Sequence, residues 1–437
     1  MKNVYLLPAL FMFIVSCSGT SEKGKTEITK FQYDKKGAVS LTYDDGTVNQ
    51  FRNAVPMMDE LGVPGTFFIN TGTIKGSVYK GTFVGRPVKE IIKETATVKT
   101  DSTNFFERAS AAAFLGLKGT LAYHSNAGSR IDGGKPDRAY QLMDELYAKV
   151  RKGEFKPLKG VAYEILDTVD ASWDEIRNYA AKGHEFSSHM VTHPRLAALD
   201  EANAMYELQK SREEILNQLG KKHTFSGEIP YGTENKRAVD YGLTVYPALR
   251  NGIRESFLKE IHRSSRENPG SPESEYVQWQ RGAVRKTSMP LMKSWVDTAA
   301  VYNNMWLVLV FHGVDGIGWE SLTTQYLKEY FQYIKSKDEL WVATFGDVVR
   351  YMCERMNSTV QAEIQGKDII LNLSNALDTS LYNIPVTLKT SVPGSWKEVS
   401  ITQGNNSTTV TASKSDDGNV VVYQAVPNKG DIVLSKN

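Results

Sequence analysis

The sequence predicts an α/β domain built on a parallel sheet, followed by a small all-β domain. The first observation is a strand, helix and strand in series, at Ala38–Tyr43, about Asn49–Leu61 and Thr66–Asn70. Elements of these types at this spacing predict parallel strands. The second observation is that the chain beyond Asn357 alternates apolar and polar residues between short turns, which is typical of antiparallel strands. At 437 residues the chain is long enough for both domains.

Strands and helices alternate again after a long gap. Gly62 and Pro64 end the first helix, and Ser172 with Glu175 forms a capping box that begins the next one. The stretch Ile253–Met289 is polar and carries no predicted element. The predicted elements are a helix over 172–182, a strand over 185–188, a helix over 200–219, a strand and loop over 225–231, a strand over 243–249, a helix over 290–302, a strand over 306–312, a helix over 321–337, a strand over 340–344 and a helix over 345–355.

The gap, about residues 73–171, is predicted to be a helical insertion. Leu142, Leu146 and Val150 recur every four residues, which indicates an amphipathic helix. The insertion either shapes a binding cleft or is a purely structural elaboration, and the residues favour neither.

The N-terminus has the pattern of a bacterial export signal. A basic start and the apolar run Val4–Val15 precede Ser16-Cys17, so residues 1–17 are predicted to be a lipoprotein signal peptide with Cys17 as the lipidated residue. The alternative is an ordinary signal peptide that contains a cysteine. Residues 18–32 are predicted to be a tether. We therefore expect an exported lipoprotein of the cell envelope, facing the periplasm or the cell surface, that meets the membrane only through its N-terminal lipid.

Composition excludes several classes of function. The formal net charge of +2 gives no sign of a nucleic-acid partner, and no internal apolar run approaches the length of a membrane span. With Cys17 acylated, Cys353 has no cysteine to pair with, so no disulfide is expected. No feature predicts a protein partner.

Two adjacent carboxylates, Asp44 and Asp45, follow the first strand and precede Gly46. Neighbouring side chains of an extended chain point to opposite sides. One carboxylate can therefore bind a metal while the other takes a proton. The alternative is a plain turn after a strand.

Histidines follow two other predicted strands. His189 and His193 come just after the strand over 185–188, and His312 ends the apolar strand over 306–312. Because catalytic groups of α/β barrels gather at the carboxyl ends of parallel strands, we expect these side chains to meet the Asp44–Asp45 pair. Two imidazoles and a carboxylate suit zinc or a similar divalent ion with open coordination positions.

These residues resemble the motifs of the NodB-type polysaccharide deacetylases, carbohydrate esterase family four. Thr42–Gly46 matches the first motif, His189 with His193 matches the second, and Leu309–His312 matches the last. The resemblance covers about 39–70 and 173–351. It implies a distorted (β/α) barrel of fewer than eight strands over residues 33–356, interrupted by the insertion, with residues 357–437 as a β-sandwich.

The resemblance also implies roles for these residues. Asp45, His189 and His193 would bind a divalent metal, with Zn²⁺ favoured over Co²⁺, Ni²⁺ or Mn²⁺. Asp44 would be the general base and His312 the general acid. The implied function is metal-dependent removal of acetyl groups from an acetylated polysaccharide or oligosaccharide, with N-acetyl groups favoured and O-acetyl esters possible. The alternative is a catalytically inactive, glycan-binding surface lipoprotein.

The sequence departs from the family at the third motif and at the fourth, an aspartate followed by a tryptophan, which is not evident here. The arginine that pairs with the base is missing before Pro230-Tyr231-Gly232, where Glu228 or Ile229 takes its place. Arg250 ends another predicted strand and either replaces that arginine or lies on the surface. The backbone N–H near Tyr231 could bind an oxyanion, as in the family. Trp319 either walls the acetyl pocket or is a core residue.

The predicted sandwich is either a carbohydrate-binding module or a packing partner. Its one tryptophan is Trp396, which is too few for an aromatic platform and favours structural support.

Overall fold

The computed structural model describes residues 23–159, 171–270, 272–415 and 418–437. The predicted signal peptide, with Cys17, lies outside these ranges. Within them, every helix is too short or too polar to cross a membrane.

Strands are numbered in chain order across the described residues. They are β1 (Thr26–Ile28), β2 (Gly37–Tyr43), β3 (Thr66–Ile69), β4 (Glu185–Ser188), β5 (Ser226–Gly227), β6 (Ala248–Leu249), β7 (Leu258–Ile261), β8 (Tyr276–Gly282), β9 (Met305–Phe311), β10 (Leu340–Val342), β11 (Thr359–Gln365), β12 (Asp368–Ser374), β13 (Val386–Val392), β14 (Glu398–Gln403), β15 (Asn406–Thr411), β16 (Ser413–Ser415), β17 (Gly418–Ala425) and β18 (Ile432–Lys436).

The α-helices are numbered in the same way. They are α1 (Val55–Leu61), α2 (Val88–Glu94), α3 (Phe105–Ala112), α4 (Thr120–Asp132), α5 (Pro136–Arg151), α6 (Trp173–Ala180), α7 (Glu201–Leu219), α8 (Lys236–Val245), α9 (Met289–Val301), α10 (Thr324–Lys335) and α11 (Phe345–Asn357). A π-helical turn, Gln50–Ala54, leads into α1.

The larger unit is built on a parallel sheet with helices, as predicted. Its strand order is β6-β5-β4-β3-β2-β9-β8-β7, and β10 pairs with the start of β2. The prediction of fewer than eight strands is wrong, because the described part of this sheet has nine. The extra strands are β7 and β8, for which the sequence analysis predicted no element.

Burial on both faces explains the apolar strands at the centre of this sheet. Every residue of β2 and β9 is buried, including Trp306, whose Nε1 donates to Ser40 Oγ at 3.0 Å. Such strands have near-continuous apolar sequences. β2 pairs with β9 over Ala38–Tyr43, so both strands end at the same level of the sheet.

Two predictions between 243 and 289 are wrong. Residues 243–249 are not one strand: α8 runs to Val245, and only Ala248–Leu249 is extended. The helix begins at Asn235, whose Oδ1 accepts from the backbone N–H groups of Arg237 and Ala238. The stretch predicted to lack elements contains β7 and β8.

β8 was missed because polar side chains face the interior. Gln278 and Gln280 are buried, and Gln280 Nε2 donates to Gln278 Oε1 and to the backbone carbonyl of Arg250. Paired glutamines therefore occupy core positions that a pattern of apolar residues cannot reveal.

The insertion is helical, as predicted, and contains α2 to α5. Its helices share an apolar cluster that includes Phe105, Met143, Leu146 and Tyr147. The cluster gives this segment its own core.

The described chain divides into two compact units. The larger one contains Thr29–Ser358 and Asn375–Thr387, and the smaller one contains residues 23–28, Thr359–Ser374 and the described part of Leu388–Asn437. The predicted domain boundaries differ from this division at Asn375–Thr387, which groups with the larger unit.

The smaller unit is all-β and antiparallel. One sheet has the order β1-β13-β17-β16 and the other has the order β11-β12-β18-β14-β15. β1 lies within residues 18–32, which were predicted to be a tether, and pairs with β13 from Thr26 to Ile28. The sandwich itself stays a prediction.

Candidate active site

The carboxyl ends of β2, β4 and β9 bring the predicted catalytic and metal-binding residues together. They line one cleft of about 440 Å³. The lining consists of Asp44, Asp45, His189, His193, Arg195, Tyr231, Gly232, Arg263, His312 and Trp319. Tyr231 and Trp319, predicted with less support from motifs, thus share the cleft with the five motif residues.

Asp45, His189 and His193 form a compact donor set. Asp45 Oδ1 lies 3.3 Å from His193 Nε2 and 3.6 Å from His189 Nε2. One ligand atom from each of the three residues falls within 4.8 Å of the others. An oxygen and two imidazole nitrogens on one side of an ion are suited to zinc and to neighbouring divalent transition metals.

The hydrogen bond of His189 leaves the correct nitrogen free for a metal. Its Nδ1 donates to the backbone carbonyl of Glu228 at 3.0 Å, so Nε2 is the nitrogen that faces Asp45 and could bind a metal. Burial lowers the pKa of His189, but the carboxylates of Asp45 and Glu228 outweigh it and raise the pKa to about 10. The site therefore favours positive charge at this position, as a cation site should.

The backbone around the donor set is strained. Asp45, Met190, His193 and Tyr231 have φ angles of 76°, 68°, 62° and 67°. Non-glycine residues rarely adopt the left-handed region, and such residues concentrate at functional sites. The turns that aim Asp45 and His193 into the cleft are thus held by their surroundings.

Glu207, on α7, holds the loop between the two histidines. Its buried carboxylate accepts from the backbone N–H of Val191 at 2.8 Å and of Thr192 at 2.9 Å, and from Thr192 Oγ1 at 2.7 Å. Burial raises the pKa of Glu207 to about 7, although these three hydrogen bonds oppose the shift. Sequence analysis missed this residue because helical spacing gives no sign of a loop partner.

We expect Glu207→Ala to loosen the donor set. Two buried N–H groups would lose their acceptor, which costs about 2–4 kcal/mol of unfolding free energy, and metal affinity should fall about 10- to 100-fold because the loop that orients His193 is less fixed. Glu207→Gln keeps an amide oxygen for those donors and should restore most of the affinity. Metal titration and thermal unfolding would measure both effects, with the exposed Gln209→Ala on the same helix as control. Equal metal affinity in all three variants would contradict this role.

Asp44 is paired with Arg250 in the interior. Arg250 Nη1 donates to Asp44 Oδ1 at 2.7 Å, and Nη2 donates to Asp44 Oδ2 at 2.6 Å. The two side chains are 4% and 3% exposed, so water does not screen this bidentate pair. Burial alone would raise the pKa of Asp44, but Arg250 and then His312 reverse the effect and lower it to about 2. Asp44 is therefore ionised and oriented, as a general base requires.

Replacing Arg250 should damage both the base and the fold. In Arg250→Met, buried Asp44 loses its counter-charge, so its pKa rises and a higher pH is needed to ionise it. The acid limb of the pH–rate profile should therefore move to higher pH, kcat should fall about 100-fold, and unfolding should become easier by about 3–5 kcal/mol. Arg250→Lys keeps the charge without the bidentate geometry and should show the smaller shift. An unchanged acid limb in Arg250→Met would contradict the pairing.

Glu228 connects Arg250, the partner of Asp44, to the predicted metal ligand His189. Arg250 Nη2 donates to its Oε1 at 2.7 Å, and its Oε2 lies 3.2 Å from His189 Nδ1. This carboxylate stands near the place of the family's third-motif arginine, and the guanidinium comes from the neighbouring strand instead. Sequence analysis did not assign Glu228 a role, although its position in the motif and its burial inside a charged cluster mark it as a partner of Arg250.

His312 faces Asp44 from the end of β9. Its Nε2 lies 3.3 Å from Asp44 Oδ2, and the edge of its ring meets Trp319 at 4.7 Å between centroids. Burial lowers the pKa of His312, and the two aspartates only partly oppose this shift. Trp319 is 56% exposed, so it is a cleft wall rather than a core residue.

Residues of the insertion support the opposite wall. The Tyr231 ring packs against His193 at 4.7 Å, and the Arg195 guanidinium lies 4.1 Å from the Tyr231 ring centroid. Ser125 Oγ is 3.2 Å from Tyr231 Oη, and Asp132 pairs with Arg195 at 2.9 Å. Both Ser125 and Asp132 belong to α4, so the insertion contributes to the cleft and is not only an elaboration.

Sequence comparison supports a family assignment for this region. A family model described as polysaccharide deacetylase matches residues 32–101 and 156–245. A gellan lyase from Bacillus sp. is 26% identical over 279 residues, which is 59% of this chain and 11% of that protein. The chain thus spans about a tenth of the length of this curated relative.

Solved structures with related folds include two deacetylase-family enzymes. A family 4 carbohydrate esterase from Bacillus anthracis is 12% identical, with a TM-score of 0.32 and coverage of 74% of this chain and 86% of that one. A chitin deacetylase from Colletotrichum lindemuthianum is 15% identical, with a TM-score of 0.33 and coverage of 72% and 88%. At TM-scores this low, the family match and the site geometry carry the assignment. Residues 32–101 and 156–245 therefore mark a polysaccharide deacetylase domain, an enzyme domain of the carbohydrate esterase and deacetylase class.

Proposed function

We propose that this protein is a metal-dependent hydrolase that removes acetyl groups from a polysaccharide or oligosaccharide. One observation carries the proposal: the Asp44–Arg250 pair lies beside the donor set Asp45, His189 and His193, in a cleft that also holds His312. Amide-linked acetyl groups of amino sugars are the favoured target, and ester-linked acetyl groups are the alternative. Zn²⁺ is the favoured metal.

A metal held by the donor set would supply Lewis-acid chemistry to the reaction. A divalent ion held by Asp45, His189 and His193 would polarise the acetyl carbonyl and lower the pKa of a bound water. The protein supplies the proton transfers. Asp44, ionised and fixed by Arg250, accepts the proton of the attacking water.

His312 is placed to return that proton. Its Nε2 lies 3.3 Å from Asp44 Oδ2, so a proton taken up by Asp44 has a short route to the ring. The lowered pKa of His312 keeps the ring neutral before the reaction and makes the imidazolium a ready donor to the leaving amine or alkoxide. Trp319 and Tyr231 flank the two ends of this arrangement and would contact the acetyl group or its sugar.

A catalytically inactive glycan-binding protein is the rival function. The reasons to consider it are the missing third-motif arginine and the fourth motif that is not evident. Arg250 supplies a guanidinium to Asp44 from the end of β6, with both hydrogen bonds under 3 Å. This contact removes the main support for an inactive protein.

The direct test measures acetate released from acetylated glycans with and without metal. Purified protein should release acetate from N-acetylglucosamine oligomers or from acetylated xylan, lose activity on chelation, and regain it with Zn²⁺ or another divalent transition metal. Activity that survives complete metal removal would refute the metal requirement. Metal binding without acetate release from any acetylated glycan would favour the rival.

A further inference from the structure

Three guanidinium groups lie in the cleft or in the smaller cavity that adjoins it, and two of them have carboxylate partners. Arg250 pairs with Asp44 and Glu228, and Arg195 pairs with Asp132 at 2.9 Å. Among the described residues, Arg263 forms no ion pair within 4 Å, although it lines the same cleft as the donor set. Its charge therefore faces the space that a substrate would fill.

Two glycines, Gly232 and Gly282, make room for the Arg263 side chain to reach the cleft. Arg263 follows β7 at the edge of the sheet, and its side chain crosses Gly282 at the end of β8. A Cβ on Gly282 would lie 2.6 Å from Arg263 Cδ, and one on Gly232 would lie 2.9 Å from its Nη2. Because neither glycine has a side chain, the aliphatic part of Arg263 packs directly against Gly282 and its guanidinium reaches the cleft beside Gly232.

A second, smaller cavity of about 190 Å³ extends the cleft past this side chain. Arg263 and Tyr231 line both cavities, so the arginine stands where they adjoin. The described acidic residues that line the second cavity are Glu228, which pairs with Arg250, and Glu234, which lies 3.7 Å from His262; neither forms an ion pair with Arg263. A substrate group that occupies the cleft beside the donor set would therefore meet the Arg263 guanidinium.

We propose that Arg263 binds an acidic sugar of the glycan substrate, one that carries a carboxylate or a sulfate. A guanidinium offers two parallel N–H donors that match such groups, and in a partly buried cleft this contact is stronger than in open water. The inference rests on the proposed deacetylase function for its substrate. With this contact, the protein would prefer glycans in which an acidic sugar lies next to an acetylated sugar over neutral acetylated polymers.

Acetate release from matched substrates tests this preference. One substrate alternates N-acetylglucosamine with glucuronic acid, and the other contains N-acetylglucosamine alone. Arg263→Ala should lower kcat/KM about 10- to 100-fold on the acidic substrate and leave the neutral one within about twofold. Arg266→Ala, an exposed arginine three residues on that is outside both cavities, is the matched control. An equal change on both substrates, or none on either, would overturn the proposal.

Binding of deacetylated oligosaccharides separates this proposal from the proposed function. Calorimetry with full-length protein would compare a uronic-acid oligomer, a sulfated oligomer and a neutral oligomer of equal length. Tighter binding of one acidic oligomer, weakened about tenfold by Arg263→Ala but not by Arg266→Ala, supports the proposal even if no acetate is released. The oligomer that binds more tightly then shows whether Arg263 prefers a carboxylate or a sulfate. Wild-type protein that binds the neutral oligomer as well as the acidic ones, or binds none of them, would refute it.

Discussion

Asp44→Asn should retain its metal and lose nearly all activity. Asparagine keeps the size of the side chain but cannot take a proton, and general-base catalysis contributes about 10²- to 10⁴-fold to a rate. We expect kcat to fall by that factor while KM changes little, because Asp45, His189 and His193 still bind the metal. Metal analysis and initial rates on an acetylated oligosaccharide would measure the two properties separately.

We expect Asp44→Asn to fold, because Arg250 keeps a second carboxylate partner in Glu228. Arg250 would lose one carboxylate but keep its 2.7 Å hydrogen bond with Glu228 Oε1, so its charge stays partly compensated. Thermal unfolding would detect the remaining cost. Asp174→Asn, a change of the same kind at a side chain that is 87% exposed, is the control for unspecific effects. Wild-type activity in Asp44→Asn would show that another group is the base.

The strand ends explain why sequence analysis could place the reacting groups. Asp44 and His312 each follow a strand whose apolar sequence is easy to recognise, and His189 follows the short strand β4 after the glycine that ends a capped helix. Carboxyl ends of parallel strands meet at one edge of a sheet. The apolar pattern therefore predicted a shared site before any distance was known.

The partners of these groups were harder to predict for a physical reason. Arg250 and Glu228 follow β6 and β5, which are two residues long and carry no periodic signal. Their meeting depends on which strands lie side by side. Arg250 could be named as a candidate because its sequence position follows a predicted strand, but its bidentate contact with Asp44 could not be derived from the chain alone.

The interior glutamines and the strained turns show a second limit of prediction from the sequence. Pattern recognition assumes that core positions are apolar, but Gln278 and Gln280 are buried inside the sheet, where Gln280 Nε2 donates to Gln278 Oε1 and to the backbone carbonyl of Arg250. The positive φ angles of Asp45 and His193 likewise have no signature in residues that normally avoid them. Functional sites are where such local rules are expected to fail.

Asp45→Ala should lose both metal and activity. Removing the one carboxylate of the donor set leaves two neutral imidazoles, which hold a divalent ion far less tightly and no longer offset its charge. We expect less than about a tenth of an equivalent of metal after dialysis, and a loss of activity of at least about 10³-fold, since both carbonyl polarisation and water activation depend on the ion. His193→Ala should behave alike, whereas His262→Ala, outside the donor set, should retain metal.

Backbone strain must be separated from ligand loss in this experiment. Asp45 has a φ of 76°, where alanine is disfavoured, so Asp45→Ala changes the turn as well as the ligand. Asparagine tolerates the left-handed region, and its neutral amide is a weaker ligand than a carboxylate. Asp45→Asn should therefore fold with near wild-type stability and still bind metal at least about 10-fold more weakly. If Asp45→Asn matched the wild type in metal content and rate, Asp45 would not be a metal ligand. The assignment of Asp45 as ligand and Asp44 as general base would then be wrong.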